Sequence, residues 1–402
     1  MKLVIGKTYL RQEAKRTLLC APVTINEETH EAFFSVEQEF ARYLTPERSD
    51  AFVVGFLTTA MRMGWDIECH TPMTKRLHYQ IANYLIPPMA NNMEIYRPIS
   101  IHAPVCDEKL PCEKAVGTGW TGGVDSMYTL MNHIELENPG QRLTHLVIAN
   151  NGALESKENQ KLLAHMAEKA RNGVAAELGL QVITIDSNLQ LLQEENYLAV
   201  AAFRLPAVIL AVQKLFGVFL NSAGYEFDKF SFVQENSAYY ELLPLQCFET
   251  DCTAFYSANG AIPRIQKLEE LSAFPLAHKY LHPCIYAKRE DNCGNCGKCV
   301  RTQAALYALG TLEKFRAVFP VDYFMENKIQ FLAQIILKKD SQHYGEVLTQ
   351  MQKNGMPIPP EAVRRAHVLR CVKHIAAIQK ESQSAQADEK PSQQSEEYGN
   401  ES

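Results

Sequence analysis

Two stretches of this chain combine reactive residue types at spacings that can do chemistry. The first is "GTGWTGGVDS", Gly117 to Ser126, which fits two different phosphate loops. Gly117, Gly119 and Gly122 match G-x-G-x-x-G, the dinucleotide fingerprint, whereas Thr121 to Ser126 read as a hydroxyl residue followed by Gly-Gly-x-Asp-Ser. The second is a cysteine cluster, Cys284-x8-Cys293-x2-Cys296-x2-Cys299, with glycines at 294 and 297.

The dinucleotide reading requires a buried strand entering the first glycine and an acid closing the second strand to hold a ribose hydroxyl. The residues before Gly117, "PCEKAV", make a poor buried strand, and the second strand ends in Ala149-Asn150-Asn151 without a carboxylate. The ATP reading asks for what is present. Gly122 and Gly123 let backbone amides approach phosphate oxygens without an intervening Cβ. Thr121 and Ser126 add hydroxyls, and a helix starting near Val124 turns its positive end to the anion. Asp125 makes sense beside phosphates if Mg²⁺ lies between them. The plain alternative is a Gly-Gly turn capped by Asp.

The stretch "TGGVDS" resembles the PP-loop of ATP pyrophosphatases, usually S-G-G-x-D-S, with Thr121 in place of the first Ser. The resemblance implies cleavage of ATP between its α and β phosphates, adenylation of a substrate carbonyl or carboxylate, and adenine lying against the strand that ends at Ala149-Asn150. The lead-in "AVGTGW" is richer in glycine and less apolar than the family's first strand.

Four thiols within 16 residues suit a tetrahedral Zn²⁺ site, and with all four positions filled the metal would be structural. Gly294 and Gly297 could take positive φ, and Lys288, Arg289, Lys298 and Arg301 could offset the charge of a four-thiolate centre. An iron–sulfur cluster is the rival occupant. The other seven cysteines are scattered and read as small core residues. A PP-loop followed by this cysteine spacing resembles the 7-cyano-7-deazaguanine synthase family over about Gly117 to Gly310. The ~110 residues before and the stretch after have no counterpart there, which marks a diverged branch. Between the two motifs, Arg264 and Lys267 share one face of a helix opened by Pro263, placed to hold departing pyrophosphate; the alternative is a solvated face. Arg204, inside an apolar tract, is a further candidate cation.

The elements expected to position these residues alternate strand and helix from Ala115 onward, which predicts an α/β fold with a doubly wound parallel sheet of the PP-loop, HUP-like kind. Helices are expected over Val124 to Glu135 and Ser156 to Leu178, strands at "RLTHLVIAN" and "QVITID", and further strands at "EFDKFSFVQ" or "FYSANG". Tyr197 to Leu220 reads as a buried helix. Residues 1–112 read as a separate N-terminal α+β domain, 113–310 as the nucleotide domain with its four-cysteine zinc module, 311–380 as a helical extension and 381–402 as a disordered acidic tail. That tail has six acids and one lysine, so most of the formal charge of −6 belongs to it and the body is nearly neutral. A near-neutral body speaks against a nucleic-acid partner, the lack of a long apolar run against a membrane, and the clustered thiols for a reducing, cytoplasmic setting. "MKLVIG" reads as a strand and not a signal peptide.

These readings predict an enzyme that uses ATP, Mg²⁺ and Zn²⁺ to adenylate a small-molecule or peptide carboxylate for attack by a nitrogen or sulfur nucleophile. Asp125, Arg264 and Lys267 would carry the chemistry. The N-terminal domain would serve recognition or dimerisation, making a homodimer, or act as plain scaffold. A tRNA-modifying PP-loop enzyme and a non-catalytic, zinc-stapled ATP-binding protein are the alternatives.

Overall fold

A computed structural model describes residues 2–153, 159–284 and 291–388. The N-terminal part contributes β1 (Lys2–Ile5), β2 (Tyr9–Gln12), β3 (Arg16–Ile25), β4 (Glu28–Glu37), β5 (Asp66–Cys69), β6 (Met73–Thr74), β7 (Ile101–His102) and β8 (Val105–Cys106). The second part contributes β9 (Ala115–Gly119), β10 (His145–Ala149), β11 (Gln181–Ser187), β12 (Phe216–Ser222) and β13 (Ala254–Ala258). All but β6 and β8 join one mixed sheet, in the order β13-β12-β9-β10-β11-β4-β3-β1-β5-β7, with β2 on β3.

The five strands from β13 to β11 are parallel, and the chain leaves the central β9 toward β10 on one side and returns to β12 on the other. That reversal of strand order opens a crevice at the carboxyl end of β9. Both faces of this region are covered. Val147 faces a core shared with the helices Asp50–Met63 and Tyr197–Leu210, while Leu146 and Ile148 face one shared with Val124–His133 and the C-terminal helices. Burial on both sides is what a parallel sheet needs.

The N-terminal part does not stand apart. β4 pairs antiparallel with β11, from Val36 against Ile185 to Phe34 against Ser187, so the sheet is continuous. Arg16 fastens the seam, donating to Thr184 Oγ1 at 2.9 Å and to the Thr184 carbonyl at 3.0 Å. A pattern of short strands signals that an edge exists but not what it pairs with.

Two element assignments change. The tract Tyr197 to Leu220 expected as one helix is a helix only to Leu210, and its last residues, from Phe216, belong to β12, "FGVFLNS". An unbroken apolar run does not distinguish a buried helix from a buried parallel strand. Of the two candidate strands, "FYSANG" supplies β13, whereas Phe227–Lys229 forms a short 3₁₀ turn. The helix expected from Ser156 is described from Asn159 and breaks at Gly173; Ser156 lies outside the described residues.

After Gly310, helices span Val321–Glu326, Lys328–Leu337, Gln342–Lys353 and Pro360–Asp388. The last runs eight residues into the acidic segment, whose remainder lies outside the described residues. Two of the scattered cysteines, Cys112 and Cys252, are joined in a disulfide with Cα atoms 5.7 Å apart, across 140 residues of sequence. It ties the segment before β9 to the turn before β13. No described helix is long and apolar enough to cross a membrane.

Candidate functional site

The site is built where β9 ends. Gly117 lies inside that strand, opposite His145 and Phe219, and not in the turn that the dinucleotide fingerprint assigns to its first glycine. A Cβ on Gly117 would stand 2.5 Å from the Phe216 ring, which accounts for the unusual glycine in a central strand. The turn itself comes at Gly122, whose φ of 71° suits glycine, and Gly123 caps the helix Val124–His133. Gly123 N–H donates to Thr121 Oγ1, and the Thr121 and Ser126 hydroxyls lie 3.2 Å apart. The N–H groups of Val124, Asp125 and Ser126 form the first helical turn, where no intrahelical acceptor is available. The loop is held from behind by His282 N–H, which donates to the Gly122 carbonyl at 2.7 Å.

This loop borders a cavity of about 310 Å³ whose far wall is Ala149, Asn151, Ala153, Tyr197 and Leu205. Ala149 lines it. Asn150 does not: it is buried with its amide on Asp186 Oδ1 at 2.7 Å, and Asn151 faces the cavity instead. Successive residues at a strand end point to opposite sides, so the one-residue shift exchanges their roles. A second cavity of about 240 Å³ shares Trp120, Thr121, His282, Cys284 and Lys298 and extends to Tyr280 and Lys169.

Arg264 and Lys267 face inward, as the shared-face reading expects, and converge on one carboxylate. Arg264 Nη1 donates to Asp125 Oδ2 at 2.6 Å, and Lys267 Nζ to Asp125 Oδ1 at 3.2 Å and the Ala223 carbonyl at 2.8 Å. Lys267 is 2 % exposed, which removes the solvated-face alternative for it. Burial works against ionisation of Asp125, but the Arg264 and Lys267 charges outweigh it and hold its carboxyl below the ordinary value. Both Asp125 oxygens therefore have cationic partners, a different arrangement from the metal-facing carboxylate expected of it.

Two more cations stand nearby. Lys298 lines the cavity, and Arg301 lies over the Tyr344 ring with its guanidinium held down to about 10 by burial and by the Arg264 charge. The surplus of positive charge around the loop is local, within a nearly neutral body, and suits a polyanion.

The four cluster cysteines are brought together. The sulfurs of Cys284, Cys293, Cys296 and Cys299 all lie within 4.8 Å of one another, close to the roughly 3.8 Å expected of four sulfurs ~2.3 Å from one ion. Backbone N–H groups point at them: Cys296 N–H to Cys293 Sγ at 3.3 Å, and Cys299 N–H to Cys296 Sγ at 3.4 Å. Asn292 braces the cluster, accepting from Cys284 N–H and donating to the Leu281 and Val318 carbonyls. Such a donor set can hold a metal ion such as zinc. Gly294 takes a φ of 76°, but Gly297 does not adopt positive φ and instead begins the helix Gly297–Ala308. Lys298 borders thiols and cavity alike, Arg301 turns toward Arg264, and Lys288 and Arg289 lie outside the described residues.

Glu241 gave no signal in the sequence. It is 8 % exposed, accepts from Ser257 Oγ at 2.7 Å and contacts Asn221, which lines the cavity. Burial, reinforced by the Asp125 charge, pushes its carboxyl from 4.5 up to about 7. Because the folded state holds this proton more tightly, its contribution to stability is complete below pH ~4.5 and is lost as pH rises toward ~7. The loss is on the order of 3 kcal/mol. Urea denaturation should show that Glu241→Gln flattens this fall between pH 5 and pH 7.5; an unchanged slope would place the titration elsewhere. No family model, curated protein or solved structure matches the chain.

Proposed function

We propose that this chain is an ATP-dependent, ligase-like enzyme of the PP-loop kind, which adenylates a carboxylate or carbonyl and forms AMP and pyrophosphate. The observation that carries the reading is the convergence of Arg264 and Lys267 on Asp125 beside the Thr121–Ser126 loop, at the switch point of a parallel sheet. Loop amides and hydroxyls supply hydrogen bonds to a phosphate chain, and the fixed cations favour the charge that grows on departing pyrophosphate. The acceptor attacks the α-phosphate, and a nitrogen or sulfur nucleophile then displaces AMP. Such catalysis rests on positioning and charge, so no protein nucleophile is needed.

Asp125 acts in this reading as the anchor that aims both cations. Mg²⁺, brought by the nucleotide, supplies further neutralisation of phosphate charge. Cys284, Cys293, Cys296 and Cys299 would hold a Zn²⁺ ion, a structural cross-link beside the cavity that Cys284 and Lys298 line.

The test is product identity. Protein incubated with ATP·Mg²⁺, a panel of carboxylates and ammonia should release AMP and pyrophosphate. ADP and phosphate as the main products would overturn the reading. Single-turnover release of AMP separates it from a non-catalytic ATP-binding protein.

A further inference from the structure

Two features singled out in the sequence lie away from the cavity. Arg204 is buried with its Nε on Gln193 Oε1 at 3.0 Å and is not among the cavity-lining residues. The other is the helix that runs into the acidic segment, Pro360–Asp388. At 29 residues it is ~43 Å long, whereas Lys328–Leu337, on which it packs, has 10 residues and is ~15 Å long. Its buried residues, Ala362 and Ala366, lie in its first two turns, where Arg365 Nη2 also donates to Gln330 Oε1 at 3.4 Å. Beyond Ala366 none of the described residues of the helix is buried.

A helical arm gains little in water from propensity alone and depends on covering an apolar face. This arm has one. Val368, Val372 and Ile375, at i, i+4 and i+7, share one side of the helix and are 61, 57 and 56 % exposed. Charge divides along the same helix. Its first half carries Arg364, Arg365, Arg370 and Lys373 against the single acid Glu361, while Glu381 to Ser402 carry six acids and one lysine.

Two occupants have the complementary charge: this chain's own residues 389–402, and a second copy of the helix. Residues 389–402 include one aromatic, Tyr398, and no valine, leucine, isoleucine or methionine, so they offer little to cover the stripe. A second copy brings the same stripe. Laid antiparallel, it sets each basic half toward the acidic end of the other; laid parallel, it would set four cations against four. The antiparallel pair is self-complementary about a two-fold axis and closes as a dimer.

We propose that this face is the interface of a homodimer, in which the Pro360–Asp388 helices of two copies pack antiparallel with Val368, Val372 and Ile375 at the seam. The proposal does not depend on the ATP reading above.

Sedimentation equilibrium of the full chain from about 1 to 100 µM tests it and should show a reversible dimer. The stripe residues are exposed, so the double variant Val368→Asp, Val372→Asp should keep the wild-type melting temperature while weakening the dimer by about tenfold or more. Reversing Arg364→Glu and Arg365→Glu together should also weaken it, because the acidic end of the partner helix loses its counter-charge. A dimer indifferent to the stripe variant would place the interface elsewhere, and one tightened by the charge reversal would have parallel helices; either result overturns the proposal. So does a wild type that stays monomeric throughout. In that monomer, faster amide exchange over residues 364–375 on removal of residues 389–402 would assign the face to the chain's own acidic segment, and co-sedimentation with anionic vesicles would assign it to a lipid surface.

Discussion

Lys267→Ala should lose AMP formation by ~10²-fold or more and lose stability with it. The Lys267 ammonium is 3 % exposed at the side chain and has two partners, Asp125 and the Ala223 carbonyl. Its removal leaves a partly buried carboxylate with one cation, and breaking a buried pair from one side costs about 3–5 kcal/mol. Arg264→Ala should show the same loss of turnover with a smaller loss of stability, because Arg264 is more exposed, at 11 %. ATP affinity should fall less than turnover in both, since the charge to be stabilised grows as pyrophosphate leaves. The low carboxyl value of Asp125 means that its contribution is complete above the ordinary carboxylate range and is lost only as pH falls through the lowered value. The neutral-pH profile is therefore not set by Asp125. A silent Arg264→Ala beside a dead Lys267→Ala would break the shared role of the two cations.

Metal removal should produce the largest structural effect. Protein purified without air should carry about one zinc per chain, and Cys296→Ser should lose metal and melting temperature together. The four sulfurs knit Cys284, which follows the loop-bracing His282, to the helix that begins at Gly297. Without the ion, the polar ties left among the described residues are those of Asn292 and the Gln303 bond to the Gly294 carbonyl. Because Cys284 and Lys298 line both cavities, the loss should also weaken nucleotide binding, which a remote structural site would not do. Calorimetry on the Cys296→Ser variant checks this, and unchanged melting with no metal in the wild type would dismiss the site. Iron with acid-labile sulfide would assign the cluster to iron–sulfur chemistry instead.

The chemistry-bearing motifs were legible because their information is local. Gly122 turns and Val124 opens a helix for reasons contained within six residues, and the cysteines converge because their spacing leaves the chain few other ways to fold back. The alternation of strand and helix after Ala115 likewise follows from short-range periodicity. So did the facing of Arg264 and Lys267, three residues apart on one helix.

What tertiary structure decided was partnership. No local pattern joins β4 to β11, pairs Cys112 with Cys252, or turns "FGVFLNS" into a strand beneath Gly117. Each depends on contacts between residues far apart in sequence, which the packing of both sheet faces selects. The same holds for charge. Asp125 reads as a metal ligand from its loop alone, and only the arrival of a helix from 139 residues downstream gives its two oxygens to Arg264 and Lys267. Glu241 acquires its raised carboxyl value from burial, a property no residue has until the chain has closed around it.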